Sequence, residues 1–149
     1  MSLEQDLYKE IILENYKSTK NKRRLEHPTA EAEGNNPSCG DDLTLFMDVK
    51  GDTIEDVSYE GIGCSICCAS ANLLCEALKG RRLDEARDTI RRFRGMLVDG
   101  NEPDFEGALE DLEAMSGIKD YPVRIKCALL AWSTAAQIVG LGGIDNESS

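Results

Sequence analysis

The sequence predicts an α+β domain in which a small antiparallel sheet of about three strands carries helices packed on one side. Three observations point there. Leu43, Leu45, Met47 and Val49 alternate with Thr44, Phe46, Asp48 and Lys50, the period-two pattern of a half-buried strand. After Gly61 and Gly63 the apolar period changes from two to about 3.6. Finally, Pro122 opens a run, Val123 to Val139, that is apolar on nearly every side and reads as a buried helix. A chain of 149 residues is the size of one ordinary domain, so residues 1–149 are expected to share a core without disulfide staples.

The elements follow in order. Asp6 to Ser18 places Leu7, Ile11, Ile12 and Tyr16 close to a helical repeat. Asn21 to Pro37 is polar, broken by Pro28, Gly34 and Pro37, and is expected to be a loop. The alternating strand comes next, then a turn at Gly51-Asp52, and Ile54 to Tyr59 returns as its hairpin partner. Small and apolar residues from Ile66 to Leu78 form a second helix that stops at Gly80. Leu83, Ala86, Ile90 and Phe93 give a third. Phe105, Leu109 and Leu112 suggest a short amphipathic helix in an acidic segment, and the Pro122 helix is last. The tail from Gly140 to Ser149 is expected to fray.

Composition excludes several classes of function. The formal charge is −11, from 28 acidic and 17 basic residues, which opposes binding through a phosphate backbone, so no nucleic-acid partner is expected. Against that background stands one basic run, Lys17, Lys20, Lys22, Arg23 and Arg24, where the first helix should end. Two readings stand open: cations complementing a helix dipole, or a docking patch for an acidic partner. The apolar stretch Ala128 to Leu141 is interrupted by Ser133, Thr134 and Gln137 and falls short of the roughly 20 residues that span a bilayer. Ser2 to Asp6 contain no basic region leading into an apolar one, so a cytoplasmic location is expected.

Six cysteines are the most unusual feature. In a reducing compartment they point to metal binding or thiol chemistry rather than disulfides. Cys39 lies in Asn36-Pro37-Ser38-Cys39-Gly40-Asp41, a bend where loop meets strand. Cys64 follows Gly61-Ile62-Gly63 at the start of a helix, whose N-terminus favours the thiolate. Cys127 falls early in the last helix, with Arg124 on roughly the same face and Lys126 beside it, cations that partly offset thiolate charge. Three thiolates and a carboxylate suit a tetrahedral zinc ion. These residues are scattered rather than paired, and spacing alone leaves metal binding open. Cys67, Cys68 and Cys75 share a helical stripe with Ala71 and Leu78, which reads as core packing; the rival is that Cys64-x-x-Cys67 forms a redox pair or shares the metal. His27, beside Pro28 in the polar loop, reads as solvated.

Three separated motifs, Cys39-Gly40-Asp41, Gly61-Ile62-Gly63-Cys64-Ser65-Ile66-Cys67-Cys68-Ala69-Ser70 and Arg124-Ile125-Lys126-Cys127-Ala128, together resemble the U-type iron–sulfur assembly proteins over nearly the whole chain. These are IscU and the NifU N-terminal domain, and the likeness is greatest to the SufU branch. Lys126 stands where the scaffold IscU usually has histidine, and Tyr121-Pro122-Val123-Arg124 replaces its Leu-Pro-Pro-Val-Lys chaperone-recognition segment. Gly95 to Asp120 resembles the insertion that marks the SufU branch. Cys67 and Cys68 depart from the usual motif, where serine or an apolar residue is more typical.

The resemblance implies a zinc site of Cys39, Asp41, Cys64 and Cys127, and a sulfurtransferase that accepts persulfide sulfur from a pyridoxal-phosphate cysteine desulfurase of SufS type for downstream iron–sulfur assembly proteins. Cys39 is the implied acceptor, on a loop able to reach a partner, its zinc-bound thiolate masked until a partner side chain displaces it. Two alternatives remain. The same ligands suit a scaffold holding a transient [2Fe–2S] cluster, and a structural zinc module would regulate the desulfurase without accepting sulfur.

Overall fold

The computed structural model describes residues 3–141. Its element order is α1 (Leu3–Lys17), β1 (Ala30–Asn36), β2 (Asp41–Lys50), β3 (Thr53–Ile62), α2 (Ser65–Leu78), α3 (Leu83–Val98), a 3₁₀ segment (Gly107–Asp120) and α4 (Pro122–Val139). The strands form one antiparallel sheet in the order β1-β2-β3. Thr44 faces Glu33 on one side and Glu60 on the other. The predicted α+β class and three-stranded sheet therefore hold. No helix among the described residues is long and apolar enough to cross a membrane.

The first strand corrects the sequence reading, which made Asn21 to Pro37 a loop throughout. Ala30, Ala32, Gly34 and Asn36 turn inward while Glu31, Glu33 and Asn35 face solvent. The alternation is real, but it is written in small residues instead of large apolar ones. Size is the reason: α4 lies directly across β1. A methyl group at Gly34 would overlap the Thr134 hydroxyl and stand 3.1 Å from Leu130 Cδ1.

The basic run divides. Lys17 lies in the last turn of α1, where the dipole reading put it, while the helix ends there and the later cations make other contacts. Lys20 pairs with Glu76, Arg23 with Asp56 and Arg24 with Glu60, while Arg24 also lies over the Phe46 ring at 4.9 Å. Phe46, expected on the wet face of its strand, is thereby fully buried. Asn21 anchors the segment from within. Its carbonyl accepts from the Tyr59 N–H, and its side-chain amide donates to Asn72 Oδ1 at 2.9 Å and Glu76 Oε2 at 3.0 Å. Asn72 donates in turn to Asn15 of α1 at 2.7 Å, so buried amides join α1, the loop and α2.

Helices α2 and α4 carry the core. Phe93 of α3 stacks on Trp132 of α4 with ring centroids 4.0 Å apart. The Trp132 N–H donates to Ser70 Oγ, which donates to the Ala128 carbonyl. Pro122 occupies the first turn of α4, as expected from its missing N–H. At the other end Gly140 takes a left-handed conformation, and Leu141 N–H returns to the Ala136 carbonyl. The first two residues of the expected frayed tail are thus fixed, and 142–149 lie outside the described residues. The acidic segment forms 3₁₀ turns in place of a short amphipathic helix, burying Leu109, Leu112, Ala114 and Met115.

Candidate metal centre

Three places in the chain converge at the end of the sheet nearest the β1–β2 turn. In that turn Cys39 N–H donates to the Asn36 carbonyl at 3.2 Å and the Ser38 hydroxyl to Asn36 Oδ1 at 3.1 Å. Gly40 closes it with φ of 73°, a conformation costly for any residue with a Cβ. Cys39 is left half-buried, and Asp41, first residue of β2, is fully buried. Beyond β3, Gly63 delivers the chain to Cys64, the N-cap of α2. The third place is the second turn of α4, where Cys127 is fully buried.

A Cys39 sulfur, an Asp41 carboxylate oxygen and the Cys127 sulfur all lie within 4.8 Å of one another. The Cys127 sulfur is 3.3 Å from that of Cys39 and 3.7 Å from the Val123 carbonyl. Asn36 binds the rim, donating to Asp41 Oδ2 at 3.4 Å and reaching Cys127 Sγ at 4.0 Å. A tetrahedral zinc ion, with sulfur about 2.3 Å away, spaces its thiolates by about 3.8 Å. The separations of these three donors, 3.3 Å between the sulfurs and none above 4.8 Å, are of the size such an ion needs.

Cys64 stands one step out. Its N–H donates to Asp41 Oδ1 at 2.9 Å, fixing the carboxylate, while its sulfur accepts from the Cys67 N–H at 3.5 Å as the cap of α2. Cys64 is not grouped with the other three within 4.8 Å, but its thiol interacts with that of Cys127.

Burial pushes the Cys127 thiol well up, and hydrogen bonding with Cys39, Cys64 and Asp41 adds to the effect. A buried thiol among other anions does not ionise by itself; a cation shared among them is what favours the thiolate state. Arg124 and Lys126 are not among the groups that chiefly set this environment: Arg124 is exposed and Lys126 half-buried on the first turns of α4.

The remaining cysteines divide. Cys75 is fully buried in the core between Leu74 and Leu78, the packing role expected of it. Cys68 lies against the Gly63 carbonyl at 3.6 Å; burial raises its thiol, and Lys22 acts the other way. Cys67 is fully buried, and its sulfur would be 2.9 Å from a Cβ placed on Gly63, with Asp41 Oδ1 3.1 Å from the same point. His27 is exposed and lies outside the cluster. Sequence reasoning missed Asn36 and the steric role of Gly63. An amide three residues before a turn cysteine was the available signal for the first; nothing local marked the second.

The profile of the NifU-like N-terminal domain matches residues 7–128. A zinc-dependent sulfurtransferase SufU from Bacillus subtilis is 40% identical over 126 residues, 85% of this chain and 84% of its own. An iron–sulfur cluster assembly scaffold protein IscU from Thermotoga maritima is also 40% identical, over 86% of this chain and 89% of its own. Among solved structures, a proposed scaffold protein of the SUF system from Fervidobacterium islandicum AW-1 superposes with a TM-score of 0.78 at 38% identity, covering 84% of this chain and 90% of that one.

Proposed function

The chain belongs to the NifU-like N-terminal domain family, and from that premise we propose that it is a zinc-dependent sulfurtransferase of iron–sulfur cluster assembly. Its sulfur donor is the persulfide of a pyridoxal-phosphate cysteine desulfurase, and iron–sulfur assembly proteins receive the sulfur downstream. The observation that carries the reading is the asymmetry of the cluster. Asp41 and Cys127 are fully buried, whereas Cys39 is half-exposed on a turn closed by Gly40. One thiol at the mouth and fixed donors behind it suit a residue that must meet a partner and return.

Cys39, Asp41, Cys64 and Cys127 are the residues that hold zinc in this reading, and zinc when bound supplies the positive charge that keeps the buried thiols ionised. The rest falls to the chain. The Cys39 thiolate attacks the outer sulfur of the desulfurase persulfide. A new S–S bond forms on Cys39, the donor S–S bond breaks, and the desulfurase cysteine leaves as thiolate. Asn36 and the Cys64 N–H hold the Asp41 carboxylate in place throughout. Residues 95–120 are read as the insertion of the SufU branch.

Desulfurase turnover, measured with and without the zinc-loaded protein while persulfide on the added chain is followed by mass, tests the proposal. Activation with persulfide on the wild type, both lost in Cys39→Ala, is expected. Neither activation nor persulfide would move the assignment to the second reading, a [2Fe–2S] scaffold on the same donors. Identity to the Thermotoga maritima scaffold equal to that for the Bacillus subtilis sulfurtransferase supports that alternative as well.

A further inference from the structure

Helix α1 differs from α2, α3 and α4 in that it buries none of its residues. Ile11 and Ile12 pack half-buried against the core, but Leu7 is 54% exposed and Leu3, one turn before it on the same face, 89%. Helices in folded proteins are held chiefly by burial of an apolar face, and an apolar edge left in water marks surface that another molecule can cover.

That edge borders a groove of about 340 Å³ between α1 and the 3₁₀ segment. Leu3, Leu7 and Ile11 form its apolar wall, and Glu110, Asp111 and Glu113 line the opposite side. Among the described residues no Lys or Arg lines it, and Glu102 to Glu113 contain none. Tyr8, on the same wall, registers this field: burial raises its phenol first, and Glu4, Glu113 and Glu110 raise it further. The basic run beyond α1 is engaged elsewhere, with Glu76, Asp56 and Glu60. Residues 142–149 do not suit the groove either, since they carry Asp145 and Glu147 and no cation.

We propose that this groove docks a basic amphipathic helix of a partner protein, with its apolar side chains on Leu3, Leu7 and Ile11 and its lysines or arginines against Glu110, Asp111 and Glu113. Apolar contact supplies the affinity. The carboxylates select the sign of the partner and, on a chain of net charge −11, speed its approach in a manner that salt weakens. None of these residues belongs to the cluster of Cys39, Asp41 and Cys127, and docking here does not depend on what that cluster holds.

The probe is a synthetic peptide of leucine and lysine ordered to form one apolar helical face, labelled for fluorescence anisotropy, beside an isomer of the same composition in scrambled order. The wild type is expected to bind the ordered peptide and to bind the scrambled one far more weakly. Leu7→Ser should weaken binding about tenfold, and Glu110→Lys at least about threefold at low salt, a loss that shrinks as salt rises. Leu13→Ser, 49% exposed outside the groove, should bind as the wild type does. No binding by the wild type, equal binding of the scrambled isomer, or equal loss in Leu13→Ser would overturn the proposal. So would sedimentation of the wild type alone as a dimer that Leu7→Ser abolishes, which would assign the groove to a second copy of this chain. If Leu7→Ser disturbs α1, Glu110→Lys leaves every apolar contact in place and decides by itself: weaker binding supports the groove, and unchanged binding refutes it.

Discussion

Gly34→Ala tests the claim that contact with α4 is what places β1, and with it the turn that bears Cys39. The new methyl group would overlap the Thr134 hydroxyl and crowd Leu130 Cδ1 at 3.1 Å, with Thr134 Cβ at 3.4 Å behind it. Overpacking of this kind costs about 1–3 kcal/mol. Gly34 does not have a positive φ, so alanine also restricts the unfolded chain and returns up to about 1 kcal/mol. A net loss of about 1–2 kcal/mol remains, which lowers a urea midpoint by about 1 M at a typical slope for this size. Thr134→Ala alone removes a hydroxyl that donates to the Leu130 carbonyl at 2.7 Å within its own helix, a change of about 1 kcal/mol or less. Combined, the two substitutions should not add, because the alanine methyl then enters the space the hydroxyl held. The expected coupling is at least about 1 kcal/mol in the stabilising direction. Urea denaturation of the four proteins, followed by circular dichroism, measures it. Additive losses would refute the reasoning, since the barrier to a side chain at position 34 would then lie elsewhere than α4.

Cys39 and Cys127 lie 3.3 Å apart, sulfur to sulfur. Metal-stripped protein treated with oxidised glutathione should therefore form a Cys39–Cys127 disulfide first, seen by peptide mapping, and zinc loading should suppress it. Acid stability turns on Asp56. Burial raises its carboxyl, but hydrogen bonds from Arg23 and the Val57 N–H, with Lys79 nearby, outweigh this and hold it below its ordinary 3.8. A depressed value in the folded state stabilises above the ordinary carboxylate range and is lost as pH falls through the folded value. Asp56→Asn should thus be less stable than wild type at pH 7 and equal to it in strong acid; a difference that persists unchanged at low pH would show that packing, not charge, is responsible.

The parts of the fold that use large apolar residues were legible. The hairpin of β2 and β3, the α2 stripe, the α3 repeat and the proline that opens α4 all follow from periodicity and breakers. β1 was not, because its inward positions are alanine, glycine and asparagine, sizes chosen by α4 and invisible to a reading based on hydrophobicity. Beyond Lys17, which does close α1, the basic segment was hidden for a related reason. Its charges are matched by Asp56, Glu60 and Glu76, partners more than 30 residues away that only the folded chain brings near. At the candidate site, Cys39, Asp41, Cys64 and Cys127 could be named from motif order. That three of them lie within 4.8 Å, while the fourth caps a helix, required coordinates.

Because the donors are drawn from distant parts of the chain, the order of synthesis matters. Cys39 leaves the ribosome 88 residues before Cys127, so a nascent or truncated chain displays two or more reactive thiols with no pocket to hold them. Only once α4 has emerged and docked on β1 does the cluster exist. A chain that stalls before that point presents its thiols without the buried donor that α4 brings.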